Sequence, residues 1–177
     1  MGATAYIESN GLHSAPDAMA SEFEVQELLQ SLVRLLKPKV CVETGCYQGH
    51  STLAIAKALF FNQQGELFSC DTDSSMVADA YIRIVQAFKP ANPEHVHIWN
   101  ESGIDLCNEG CVKNVDFAFL DSSGDRVAEA AALQLSPKAV VVVHDTNRTQ
   151  YDAIKLLHPW KAVWKIETPR GLTVFQL

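Results

Sequence analysis

The sequence predicts an α/β domain built on a mostly parallel sheet with helices on both faces. Three observations predict it. Strand-like apolar runs alternate with helix-period stripes along nearly the whole chain. The first run, Val40–Val42, leads into a turn punctuated by Gly45 and Gly49 and then into a helix start. A later run, Ala139–Val143, is unbroken and valine-rich, as a strand buried on both faces requires.

The elements follow in order. Ser21 and Glu24 have the spacing of a capping box, and Val25, Leu28, Leu29, Leu32, Val33 and Leu36 keep helical spacing until Pro38. After Val40–Val42 a helix is expected from about Ser51 to Phe61, and Gly65 breaks the chain before a strand at Leu67–Cys70. Ser74 or Ser75 is placed to cap a helix whose stripe is Val77, Ala80, Tyr81, Ile84, Val85 and Phe88, with Pro90 stopping it. His95–Trp99 reads as a strand, Ile104–Cys111 as a short helix and Val115–Leu120 as a strand. A helix from Asp125 to Leu135, closed by Pro137, precedes the Ala139–Val143 strand. A helix at about Tyr151–Leu157 and two strands, Ala162–Glu167 and Leu172–Leu177, finish the chain. That last pair, joined through Pro169-Arg170-Gly171, is close enough for an antiparallel hairpin.

The length of 177 residues, with 47% apolar and 20% charged, suits one domain with one sizeable core. Residues 21–177 form that domain. Residues 1–20, rich in Ala, Ser and Gly, are expected to be a flexible segment or lid. A net charge of −7 without a Lys/Arg cluster argues against nucleic acid or an anionic membrane as partner. No apolar run is long enough to span a bilayer, and the first residues lack a secretory pattern. The five cysteines are an odd count, and three lie in or beside expected strands, which points to reduced thiols and a cytoplasmic setting. Cys107 and Cys111 read as packing residues, as do Trp99, Trp160 and Trp164, although Trp160 or Trp164 could wall a pocket.

Open α/β sheets bind ligands beyond the carboxyl ends of their strands. Glu43, Asp71, Asn100, Asp121, and His144 with Asp145 all stand at such ends. Gly45 and Gly49 allow a tight strand-to-helix turn. A carboxylate at the mouth of that turn, Glu43, would repel a pyrophosphate and suit a cationic ligand with an amino group, such as S-adenosylmethionine. Asp71, 22 residues past Gly49, is placed to take two ribose hydroxyls, or else to cap the next helix. A dinucleotide oxidoreductase is disfavoured by Glu43 and by the lack of a G-x-G-x-x-G run.

Glu43-Thr-Gly45-Cys-Tyr47-Gln-Gly49-His-Ser51 resembles the first motif of class I S-adenosylmethionine-dependent methyltransferases. The chain looks most like the catechol and caffeoyl-CoA type of small-molecule O-methyltransferase, over about residues 21–177. The resemblance implies a Rossmann-like fold with a seven-stranded, mostly parallel sheet and a C-terminal antiparallel hairpin. It implies transfer of a methyl group from S-adenosylmethionine to a hydroxyl of a small molecule. The cofactor set it implies is Glu43, Gly45, Tyr47, Gly49, Ser51, Asp71, Thr72, Asn100, Ser102 and Asp121. Asp121, Asp145 and Asn147 match the positions that hold a divalent cation such as Mg²⁺, with Thr146 as a departure between the last two. The family's lysine base is replaced by Gly124, which leaves His144 as substitute base beside Asp121, with His50 a weaker choice. The missing lysine also keeps open a catalytically weak binding module of the same fold. The hairpin leaves a sheet edge on which a homodimer could form.

Overall fold

Side-chain alternation along the central strands sets the layers of the molecule. The computed structural model describes residues 6–7, 11–91, 93–147 and 149–177. Its elements are β1 (Tyr6–Ile7), β2 (Ser14–Ala15), α1 (Phe23–Leu36), β3 (Val40–Thr44), α2 (His50–Asn62), β4 (Glu66–Asp71), α3 (Ser74–Phe88), β5 (Val96–Asn100) and α4 (Gly103–Asn108). They continue as β6 (Val115–Leu120), α5 (Arg126–Ala132), β7 (Leu135–His144), a 3₁₀ segment (Thr149–Leu156), β8 (Ala162–Ile166) and β9 (Leu172–Gln176). Phe117, Phe119, Val140 and Val142 face a core shared with Leu29, Val33, Ile55, Leu59 and Ile84 of α1–α3. Their neighbours Ala118, Leu120, Val141 and Val143 face a second core with Leu106, Ala130, Tyr151 and Ile154. Both faces of the sheet are therefore covered, which is why these strands read as continuous apolar runs.

The seven strands lie in the order β5-β4-β3-β6-β7-β9-β8. All pairs from β5 to β7 are parallel, and β9 runs antiparallel to both β7 and β8. The chain order reverses between β3 and β6, so the ligand crevice of this topology opens at their carboxyl ends. Register sharpens the point. Thr44 pairs with Cys70 and with Leu120, and Leu120 pairs with Val143. The next residues, Gly45, Asp71, Asp121 and His144, are thereby brought to one level of the sheet.

Several local expectations are corrected. The capping box does not form: α1 is capped at Glu22 without a side-chain bond, and the buried Ser21 hydroxyl has no partner among the described residues. Glu22 is drawn inward to His144, as described below, and that sets the start of the helix. Asp73, not Ser74 or Ser75, caps α3, accepting from the Ser75 N–H. The helix expected to run to Leu135 ends at Ala132, and β7 begins at Leu135 and passes through Pro137. A register shift between Val115 and Phe117 spares the proline a ladder bond it could not donate. The last helix is a 3₁₀ segment. Cys111 lies outside α4 and is exposed. Trp160 packs on Phe175 and bonds the Ile154 carbonyl, whereas Trp164 is exposed on β8; neither lines the crevice.

Candidate active site

The turn after β3 is held by its own backbone. The N–H groups of Gly45 and Cys46 both donate to the Cys70 carbonyl at 2.9 Å, and that of Gly49 donates to the Cys46 carbonyl. The N–H of Tyr47, at φ +46°, donates to Asp71 Oδ2 at 2.9 Å. Four donors that a phosphate loop would turn toward its ligand are thus engaged internally, so this turn is no anion nest. Gly45 has φ +81°, and a Cβ there would stand 2.7 Å from the backbone of Asp121 and Ser122. Only glycine lets β3 and β6 meet this closely at the crevice.

Glu43 is not at the mouth of the turn. It is fully buried, and its Oε2 accepts from Thr52 and Ser69 at 2.6 Å each. Burial, partly offset by hydroxyl hydrogen bonds, raises its pKa. The exposed carboxylate expected to repel a pyrophosphate is therefore absent from the mouth of the turn; what the turn does is withhold its backbone donors. Glu43 Oε1 is buried without a partner among the described residues.

Asp71 stands between two cavities. Its Oδ2 takes the Tyr47 N–H and its Oδ1 the Asp73 N–H, which fixes the carboxylate while leaving acceptor capacity on both oxygens. One cavity, of about 200 Å³, is bounded by Glu101, Ser102, Gly103 and Ile104 on one side and by Gly124, Asp125 and Glu129 on the other. The second, of about 400 Å³, reaches from Tyr47, His50 and Ser51 to Asp121, Arg126 and Asp145 under Met19, Ala20 and Ser21. The two share Gly45, Asp71, Thr72 and Ser123. Glu101 has a buried Oε1 without a partner among the described residues, and burial raises its pKa. In the smaller cavity the buried Glu129 accepts from Thr44 at 2.7 Å and from Ser122 at 2.6 Å.

The far end of the larger cavity is a chain of alternating charges. His144 is fully buried, with Nε2 2.7 Å from Glu22 Oε2 and Nδ1 3.0 Å from Asp121 Oδ1. Burial, the largest influence, pulls its pKa down, but Asp121 and Glu22 together outweigh it and raise it to about 10. Burial likewise raises Glu22, yet the His144 contact holds it below the usual value. Arg126 comes next, its side chain 5% exposed. Its Nη2 lies 3.3 Å from both Asp121 Oδ1 and Asp145 Oδ2, its Nε donates to the Ser122 carbonyl and its Nη1 to that of His144. The guanidinium also stacks 5.0 Å over the Tyr151 ring.

This geometry removes His144 as the base. Both ring nitrogens face carboxylates and the ring carries its proton at neutral pH, so it has no free lone pair. His50, in the larger cavity, is held neutral by burial and by the Arg83 charge, with its pKa lowered to about 4. Asn147 is also redirected: its Nδ2 donates to the Pro169 carbonyl at 2.7 Å, holding the hairpin turn against β7 rather than facing Asp121. Ligand atoms of Asp121, His144 and Asp145 do lie within 4.8 Å of one another, but both His144 nitrogens are taken up by carboxylates, which leaves Asp121 and Asp145 as the oxygen donors at this place.

Of the expected cofactor residues, Gly45, Tyr47, Ser51, Asp71, Thr72, Ser102 and Asp121 border the two cavities. Gly49 instead packs on Ala80 of α3, and Asn100 braces the Asp71 carbonyl at 3.0 Å. Glu22, Glu101, Arg126 and Glu129 are additional members of the site. Glu101 and Arg126 stand beside the expected site residues Asn100 and Asp121 in the sequence, whereas Glu22 is 122 residues from its partner and carries no local signal.

A crevice at the switch point of a doubly wound sheet, with the turn after β3 closed on itself and acids at the strand ends, defines an α/β fold of the ligand-binding Rossmann-like class. The chain belongs to a methyltransferase family: residues 42–146 match the family described as "Methyltransferase domain". No curated protein matches the sequence. Among solved structures it is similar to an O-methyltransferase from Bacillus cereus in complex with SAH (20% identity, 91% of this chain and 84% of that one, TM-score 0.72). It is also similar to an O-methyltransferase of tomaymycin synthesis from Streptomyces achromogenes in complex with SAM (20%, 90% and 82%, TM-score 0.67). An SAH-bound methyltransferase from Podospora anserina is a third (17%, 89% and 79%, TM-score 0.69). At these identities the likeness is one of fold.

Proposed function

We propose that this methyltransferase binds S-adenosylmethionine across the two cavities and methylates a hydroxyl of a small molecule. The observation that carries the reading is Asp71, fixed by two backbone N–H groups where the two cavities meet. Asp71 would hold the ribose hydroxyls. The smaller cavity, with apolar Ile104 and the unpartnered Glu101 Oε1 as an acceptor for an exocyclic amine, would hold the adenine. Tyr47, His50 and Ser51 border the path of the methionine moiety toward Asp121. The bound cofactor supplies an electrophilic methyl on a sulfonium. The chain supplies alignment, a cover of Met19, Ala20 and Ser21, and two carboxylates, Asp121 and Asp145, able to take the acceptor's proton. His144 and Arg126 hold those carboxylates in place. Residues 17–22 act as the lid in this reading: Asp17 ties the Met19 and Ala20 N–H groups, and Arg170 holds the Ala18 carbonyl. Residues 1–5 and 8–10 of the expected lid lie outside the described ones.

One observation favours a second reading, a cofactor-binding module with weak catalysis. Position 124 is glycine and His144 is locked between two carboxylates, which leaves His50, with its pKa lowered to about 4, as a weak nitrogen base in the cavity. Transfer of labelled methyl from S-adenosylmethionine to a panel of phenols, catechols and hydroxy acids separates the two. Turnover on one class supports the enzyme, and tight cofactor binding without turnover on any supports the module. No described helix is long and apolar enough to cross a membrane, and the five cysteines are free, which suits a reducing compartment such as the cytoplasm. The β8 edge, with Val163, Trp164 and Ile166 exposed, is the place for a homodimer contact, which light scattering would read.

A further inference from the structure

Asp121 and Asp145 face each other at the acceptor end with ligand atoms close enough to share one cation. The positive charge at that place belongs to the chain itself. Arg126 Nη2 is equidistant, at 3.3 Å, from Asp121 Oδ1 and Asp145 Oδ2. We propose that Arg126 fills the position of a divalent cation between these carboxylates, so that the acceptor site works without a metal. The inference rests on the methyl-transfer reading above.

The seat of Arg126 is what makes the substitution hard to reverse. Nε is engaged by the Ser122 carbonyl, Nη1 by the His144 carbonyl, and the planar face by Tyr151. A hydrated ion entering with Arg126 in place would meet a fixed cation at contact distance. An ion displacing Arg126 would leave two backbone carbonyls without their donor and a guanidinium to be rehoused from a site only 5% exposed. Two carboxylates completed by waters are enough to hold a small hard cation, so what closes this corner to a metal is the guanidinium fixed between Asp121 and Asp145. What distinguishes arginine from a point charge here is the rigid guanidinium plane: with Nε and Nη1 bound to two carbonyls, Nη2 is held between both carboxylates. Arg126 is therefore a positioning residue: it sets the separation and orientation of the two acids and offsets their mutual repulsion.

The test is manganese binding by electron paramagnetic resonance on the full chain, with S-adenosylhomocysteine calorimetry on the same samples. Wild-type protein is expected to leave the free-ion signal of Mn²⁺ unchanged at about 1 mM, the weak limit of biological cation sites. Arg126→Gln, folded by circular dichroism, should gain a Mn²⁺ site at least about tenfold tighter, and adding Asp145→Asn should abolish it. Wild-type binding of Mn²⁺ that Asp145→Asn removes would overturn the proposal. So would a folded Arg126→Gln that gains no site. If Arg126→Gln does not fold, the wild-type measurement and Asp145→Asn decide alone. Failure to bind S-adenosylhomocysteine would strike the functional reading instead and is read separately.

Discussion

The two ends of the crevice are built by different means. At the donor end, Gly45, Tyr47 and Asp71 are fixed by backbone geometry and short-range hydrogen bonds. At the acceptor end, Glu22, His144, Asp121, Arg126 and Asp145 are fixed by charge, through side chains that reach across the fold. A backbone-built site is set by local chain geometry. A charge-built site is only as firm as its protonation states, and each member depends on its neighbours.

A large effect should come from breaking the charge chain. His144→Ala takes the imidazolium away from the buried Glu22 and from Asp121, leaving Glu22 with Arg170 at 4.0 Å and Asp121 with Arg126 at 3.3 Å, and a loss of about 3 kcal/mol in denaturant unfolding is expected. The wild type adds a pH signature. His144 is raised in the folded state to about 10 from an ordinary value near 6.5, so its contribution is fully present below about 6.5 and is lost as pH rises through about 10. Stability should therefore decline between neutral pH and pH 10, and the decline should flatten in a folded His144→Gln. A profile with the same slope in both proteins would remove the charge account of this end.

The donor end breaks differently. Gly45→Ala forces a Cβ to 2.7 Å from the backbone of Asp121 and Ser122, just beyond β6, at φ +81°, and a loss of about 3 kcal/mol or more is expected, with no change in pH dependence. In the proposed reading Asp71→Ala removes a charge-assisted hydrogen bond to the ligand worth roughly 1.5–3 kcal/mol, so S-adenosylhomocysteine binding should weaken by about ten- to hundredfold. It also leaves the Tyr47 and Asp73 N–H groups without their acceptor, so a fall in melting temperature should accompany it. The smallest effect belongs to Glu24→Ala. Since the capping box is not formed, a change within about 0.5 kcal/mol is expected; a loss above about 1 kcal/mol would restore the box.

The same contrast explains what could be read from the sequence. The sheet, its parallel core and the terminal hairpin followed from periodicity and glycine placement, because those are local signals that packing reinforced. The donor end was legible for the same reason: Gly45 and Asp71 lie in a strand–turn–helix context that announces itself. Glu43 ends β3 as expected but is buried on Thr52 and Ser69 instead of opening on the turn, a direction that its place at the strand end did not reveal. The acceptor end was obscure because its defining contacts span long stretches of chain, as in Glu22 with His144 and Arg170 with Ala18. Local propensity also misled where tertiary demand prevailed, as at Ser21, displaced by Glu22, and at Pro137, accommodated by a bulge rather than ending a helix.

The central claim is that the crevice between β3, β4 and β6 receives an adenosine-bearing methyl donor through Asp71 and refuses phosphorylated nucleotides. Calorimetric titration of wild-type protein with S-adenosylhomocysteine, and in parallel with NAD and ATP, tests it most directly. One-to-one binding of the first, with no heat from the other two, is the predicted result. A folded protein that ignores S-adenosylhomocysteine, or that prefers a phosphate-bearing nucleotide, would contradict it.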